Sequence, residues 1–109
     1  MIDAQVKRGS AELAILSVLS GGALHGYEIA RRIQQTTDGT LQFTLASLYP
    51  LLYRMEKRGW IKGKWEAVGE RRRRCYQLTA SGLKRLKPLR EEWAQLFTAI
   101  HALTRGADA

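Results

Sequence analysis

Residues 43–59, FTLASLYPLLYRMEKRG, hold the side chains best suited to touching a nucleic acid. If this stretch is helical, Leu45, Leu48, Leu52 and Met55 share one face and pack inward. Ala46, Ser47, Pro50, Tyr53, Arg54 and Lys57 share the other. Small and hydroxylated residues lead that outer face, and bases follow one or two turns later. Small groups let a backbone approach a groove, hydroxyls and Tyr hydrogen-bond phosphates or base edges, and Arg and Lys neutralise phosphates. A helix that merely faces water carries a lattice of Glu and Lys instead. This one reads as a DNA-recognition helix, with Thr44 as its N-cap. Tyr49 lies on the flank of the apolar face, where it serves either packing or a phosphate contact. A second basic cluster, Arg71 to Arg74, follows Gly69. Arg71, Arg72 and Arg73, nearest the tip of a predicted hairpin, are placed to reach phosphates or a narrow minor groove. The bland alternative for such a run is a solvated charged face.

Other chemistry finds little support. No paired carboxylates, metal-spaced Cys/His cluster, glycine-rich phosphate loop or nucleophile–base set stands out, so no catalytic residue, metal or cofactor is expected. His25 could be a ligand or an acid–base group, but with no evident partner in the sequence it reads as a structural hydrogen-bonder. Cys75, the single cysteine, excludes an internal disulfide, fits a reducing compartment and reads as a small packed residue. No apolar run approaches the roughly 18 residues of a membrane span, and the polar start lacks the core of a signal peptide, so a cytoplasmic location is expected.

The totals agree with a polyanionic partner. The chain has 109 residues, 18 of them Lys or Arg against 10 Asp or Glu, for a formal charge of +8. Half of the basic residues lie between Arg54 and Arg74. Hydrophobic residues make up 45%, enough for the core of one small domain that gains from association.

The elements that must position these residues follow from periodicity and punctuation. Residues 1–9 read as a basic N-terminal arm, and Ser10 as the N-cap of a first helix ending at Gly21-Gly22. In that helix Leu13 and Leu16 head an apolar surface, widened by Ile15 and Val18, that is broad enough to want two partners. A second helix is expected over residues 25–35, with Tyr27, Ile29, Ala30 and Ile33 packed and Gly26 permitting a close contact. Asp38-Gly39 marks a turn, and residues 40–43 a very short extended segment. Pro50 either kinks the recognition helix or signals a helix that begins later. After Gly59 the period changes to two: strands are expected over residues 60–65 and 75–78, with a loop between them. Thr79 caps a last helix whose apolar residues Leu86, Leu89, Trp93, Leu96, Ile100 and Leu103 keep heptad spacing. Pro88 should kink or divide it. At 25 residues it would span about 37 Å, longer than the domain's own core requires. Its seam, Leu89, Trp93, Leu96, Ile100 and Leu103, is therefore expected to meet a second subunit, with Leu13 and Leu16 as a further contact.

Three blocks carry a family resemblance: LHGYEI at Leu24 to Ile29, SLYPLLYRMEKRGWI at Ser47 to Ile61, and RRRCYQLTASG at Arg72 to Gly82. Over roughly residues 8–85 the chain resembles the PadR-like transcriptional regulators. The fold this implies is mostly α with a small β-hairpin: a winged helix-turn-helix over 10–78 and a long C-terminal dimerisation helix over 79–109, as in the short members of the family. The function it implies is a dimeric repressor that leaves its operator when a small molecule binds or a signal arrives. Ser47, Tyr49 and Pro50 would then belong to the recognition helix and residues 69–73 to the wing. Trp93 would stand where short members place an aromatic residue of a pocket for planar aromatic compounds, or else would be a seam anchor with no ligand. The run of four arginines is heavier than expected for such a wing and favours nonspecific affinity. The competing reading is a packaging or RNA-binding protein without sequence choice. The small polar face of the recognition helix argues against it, because nonspecific binding needs no groove access.

Overall fold

The computed structural model describes the backbone of residues 4–107 and the side chains of residues 9–107. Seven elements follow in order: α1 Ala4–Leu19, β1 Leu24–His25, α2 Gly26–Thr36, α3 Leu45–Lys57, β2 Ile61–Val68, β3 Arg71–Leu78 and α4 Ala80–Ala107. Helices α1, α2 and α3 and the base of α4 enclose one core. A three-stranded antiparallel sheet of order β1-β3-β2 closes its side. No helix among the described residues is long and apolar enough to cross a membrane.

Helix α3 begins where its cap predicts. Thr44 is extended, and its hydroxyl accepts from the Ser47 amide at 3.1 Å. Pro50 lies inside the helix, just beyond the first turn, and not before its start. An interior proline costs about 3 kcal/mol. Leu48, Leu52 and Met55 are fully buried on the opposite face, and each such side chain contributes about 1.5–3 kcal/mol, so packing outweighs the lost bond. Leu45 departs from its expected burial and is 40% exposed. At the far end the amide of Gly59 donates to Glu56 O (2.9 Å) and that of Trp60 to Met55 O (3.0 Å), a Schellman closure.

The start of the chain differs from its reading as a loose arm. Helix α1 runs from Ala4, so residues 4–9 are helical and Ser10 is interior; residues 1–3 lie outside the described ones. Ala11, Ile15, Leu16 and Leu19 form its buried stripe. Leu16, expected at a subunit contact, is fully enclosed by its own chain, and so is Leu89 at 4% exposure. A side chain already sealed in the monomer core has no surface left for a partner. Tyr27, expected to pack, is 57% exposed, whereas Ile29 and Ile33 carry the α2 contact. The turn at Asp38-Gly39 is present, but residues 40–43 form no strand.

Strand β1 was not anticipated. Its two residues pair with β3, Leu24 opposite Tyr76 and His25 opposite Cys75. Strands β2 and β3 are longer than their alternation suggested and pair continuously from Ile61–Leu78 to Val68–Arg71. The expected nine-residue loop is thus a two-residue turn, Gly69-Glu70. Helix α4 is continuous through Pro88 across 28 residues. Its base is clamped to the end of α3: the Thr79 hydroxyl accepts from the Gly82 amide (2.9 Å), and the Thr79 amide donates to Trp60 O (3.1 Å). Gly82 packs so closely on the Trp60 carbonyl that a Cβ there would collide with backbone. Replacing Gly82 with Ala should therefore lower stability by about 1–3 kcal/mol, the usual cost of overpacking, read as a fall in the urea midpoint.

Candidate nucleic-acid interface

The outer face of α3 is open. Thr44, Ala46, Ser47, Tyr49, Pro50, Tyr53, Arg54 and Lys57 are all exposed, Tyr53 at 60%. Ser47 and Thr44 are ordered by each other. Ser47 Oγ donates to Thr44 O at 3.0 Å, and the Thr44 hydroxyl donates to Ser47 Oγ at 3.1 Å. Ser47 Oγ retains a lone pair suited to an amino group on a base edge. Further along the helix the Lys57 ammonium sits 5.0 Å above the Tyr53 ring, which steadies both side chains. Tyr49 serves packing in part: its hydroxyl and ring lie where a Cβ on Gly26 would stand, at 3.0 Å, and the remainder is exposed.

The hairpin is fixed to this helix by a side-chain pair that sequence reasoning did not single out. Arg74 donates through Nε to Glu56 Oε1 (3.1 Å) and through Nη2 to Glu56 Oε2 (2.8 Å). This two-pronged contact joins β3 to α3, and neither partner is more than 29% exposed. It runs over Gly63, where a Cβ would meet the Arg74 guanidinium and the Glu56 carboxylate within 2.9 Å. A third strand residue completes the root: the Trp65 ring receives Arg72 at 5.2 Å and Arg74 at 5.3 Å.

Register sorts the arginine run. Trp65 opposes Arg74 and Glu66 opposes Arg73, so Arg72 and Arg74 share the face of Tyr76, while Arg71 and Arg73 share the face of Cys75. Arg71, Arg72 and Arg73 are exposed. Two open clefts separate α3 from the hairpin. One, of about 530 Å³, has Tyr49, Tyr53, Lys57 and Arg74 on its walls; the other, of about 500 Å³, has Leu45, Tyr49 and all four arginines. The fold thus brings Tyr49, Tyr53 and Lys57 together with the wing bases. Ala46, Ser47, Pro50 and Arg54 lie on α3 outside both clefts, on the part of the helix free to enter a groove. Arg74 could have been flagged only if the strand lengths were known, because its partner is 18 residues away.

The second group of candidate residues lies elsewhere. Leu96, Phe97, Ile100 and Leu103 are between 45% and 75% exposed on the outer part of α4. Trp93 is half-buried, touches Phe97 with ring centroids 5.6 Å apart, and lies within 3.4 Å of a Cβ position on Gly9. Leu13, also half-buried, shares with Trp93 and Phe97 an apolar hollow of about 240 Å³. Phe97 was missed because it falls one residue off the heptad. Glu56→Ala should expose the worth of the wing anchor: a loss of about 1.5–3 kcal/mol in unfolding experiments, as for hydrogen bonds to charged groups, with faster amide exchange in β2 and β3 than in α1.

Comparison with known proteins agrees with this geometry. The profile of the transcriptional regulator PadR-like family matches residues 15–88. A solved transcriptional regulator from Clostridium thermocellum is 35% identical, with a TM-score of 0.81 over 94% of this chain and 97% of its own. A PadR family transcriptional regulator from Eggerthella lenta is 26% identical, with a TM-score of 0.76 over 92% of this chain and 86% of its own. A PadR-like regulator from Bacillus cereus is 28% identical, with a TM-score of 0.77 over 93% and 97%. With the family matched across the helices, the wing and the base of α4, this chain belongs to the PadR-like transcriptional regulators, which are DNA-binding proteins and not enzymes.

Proposed function

We propose that this regulator is a cytoplasmic homodimeric repressor that reads an inverted-repeat operator with two copies of α3 and releases it when a planar aromatic molecule binds. The observation that carries the DNA-reading part is the open face of α3 beside a wing whose root is locked to that same helix by Glu56 and Arg74. Thr44, Ala46, Ser47, Pro50 and Tyr53 enter the major groove, with Ser47 and Tyr53 as direct readers. Tyr49, Arg54, Lys57 and wing residues Arg71, Arg72 and Arg73 take phosphates or the adjacent minor groove. The exposed apolar stripe of α4 supports pairing through Trp93, Leu96, Ile100 and Leu103, with Leu13 beside it. Leu16 and Leu89 are excluded from that contact by their burial. A dimer so joined would set its recognition helices about 34 Å apart, one helical turn of DNA. The apolar hollow beside Trp93 supports that residue as the effector contact. The role as a repressor is proposed from the family resemblance alone.

Selection of bound duplexes from random DNA, with and without flat aromatic molecules, tests the whole reading; recovery of no shared palindrome would refute it. Ser47→Ala with Tyr53→Ala should weaken operator binding by about 1–3 kcal/mol per lost base contact while sparing random DNA. Equal losses on both would exclude direct readout. Replacing Arg71, Arg72 and Arg73 together with Ala should lower affinity for every sequence and flatten the salt dependence by roughly 0.9 in log–log slope per lost phosphate contact. Leu96→Glu should sediment as a monomer, and a persistent dimer would move the interface away from α4.

A further inference from the structure

His25, Glu66 and Cys75 meet on the sheet face turned away from the Arg74 anchor, although they come from three different strands. His25 opposes Cys75 across β1 and β3, and Glu66 lies on the same face of β2. Their donor atoms all lie within 4.8 Å of one another, and the His25 Nε2 to Glu66 Oε2 distance is already 3.2 Å. The wiring of the imidazole is what makes the cluster more than a coincidence. Glu28 Oε1 lies 2.6 Å from His25 Nδ1 and also accepts the His25 backbone amide at 3.0 Å. Placed to take both the amide and the ring edge, the Glu28 carboxylate serves as their common acceptor. The ring proton therefore sits on Nδ1. Nε2, the other ring nitrogen, is buried without a hydrogen bond and lies 3.2 Å from Glu66 Oε2. An imidazole nitrogen, a carboxylate and a thiol thus converge on one point.

We propose that His25 Nε2, Glu66 and Cys75 Sγ bind a divalent transition-metal ion, zinc by the chemistry of the donors. Imidazole, carboxylate and thiolate in a three-ligand set leave the fourth tetrahedral position for water, and contraction to roughly 3.5 Å between donors is all that bonds of about 2.0–2.3 Å require. Carboxylate, histidine and metal in line is the arrangement by which a second carboxylate fixes the tautomer and raises ligand basicity, the part Glu28 takes here. Burial first, then Glu66 and Glu28, push the Cys75 thiol above its ordinary pKa. Coordination breaks the S–H bond, forms the metal–sulfur bond and releases that proton to solvent. Lys64 and Arg73 share this sheet face and oppose the ion, but both are exposed and can turn into water. Because His25 caps α2 and Glu66 belongs to the wing, an ion here would staple the hairpin to α2 from the side opposite Glu56.

Titration of the chelator-stripped full chain with Co²⁺ tests the site. One ion per chain should bind, with a thiolate-to-cobalt charge-transfer band and release of a proton. Cys75→Ser should abolish the band. Glu66→Gln should weaken affinity, and Glu28→Gln should do so roughly 10–100-fold, as loss of an orienting carboxylate does. Absence of the band, or an affinity unchanged in both Cys75→Ser and Glu66→Gln, overturns the proposal. Should the variants fail to fold, the unaltered chain still decides: saturating Zn²⁺ should slow alkylation of Cys75 at least tenfold, and an unchanged rate overturns the site.

Discussion

The paired contact between Arg74 and Glu56 is the constraint on which the presentation of charge depends. A two-stranded hairpin that projects from a small domain has little core of its own and would otherwise swing. Two parallel hydrogen bonds between a guanidinium and a carboxylate set both distance and orientation. Because Glu56 is on α3, the same contact makes the wing and the recognition helix one rigid part. The requirements spread outward from there: Gly63 must lack a side chain, Trp65 must lie beneath Arg72 and Arg74, and the strands must hold their register from Ile61 to Val68. One of the four arginines is thus structural, and the other three remain exposed for solvent or phosphate.

This division also bears on how a heavily basic hairpin could serve the sequence-reading role proposed above. Exposed ion pairs on a protein surface contribute little, roughly 0–1 kcal/mol, so the tip arginines do little for folding. In the proposed complex their worth lies in binding a polyanion, where it carries no sequence information. Discrimination in the proposed complex comes from α3, where small side chains leave the backbone able to approach bases. The two clefts between helix and wing join these surfaces, because Tyr49 borders both.

Much of this was legible in the sequence, and the failures have physical causes. The α3 cap at Thr44, its packed Leu48, Leu52 and Met55, the hairpin and the Thr79 cap rest on local signals, and local signals survive folding. Strand β1 is too short to show any alternation, and it exists because β3 offers it a partner. Helix α1 extends back to Ala4 because Ser10, though favoured as a cap, is only mildly unfavourable in a helix interior. The heptad of α4 predicted a seam without saying what would fill it. Leu86 and Leu89 turn out to face the chain's own core, and Leu96, Ile100 and Leu103 lie beyond its reach. Periodicity reports an apolar stripe, and only the fold reveals where the covering ends. His25 was read as a structural hydrogen-bonder without its partner: Glu28, three residues on, supplies it, while Glu66 and Cys75 come near only through sheet register.

The strand order places β2 at the rim of the sheet, with β3 as its sole neighbour among the described residues. Such a rim exposes unsatisfied amides and carbonyls, a template on which a foreign chain could add itself and begin a fibril. Lys62 and Lys64 stand along it, so a second copy approaching edge-on would bring ammonium against ammonium. The basicity proposed to draw this hairpin toward nucleic acid also guards it against aggregation with its own kind.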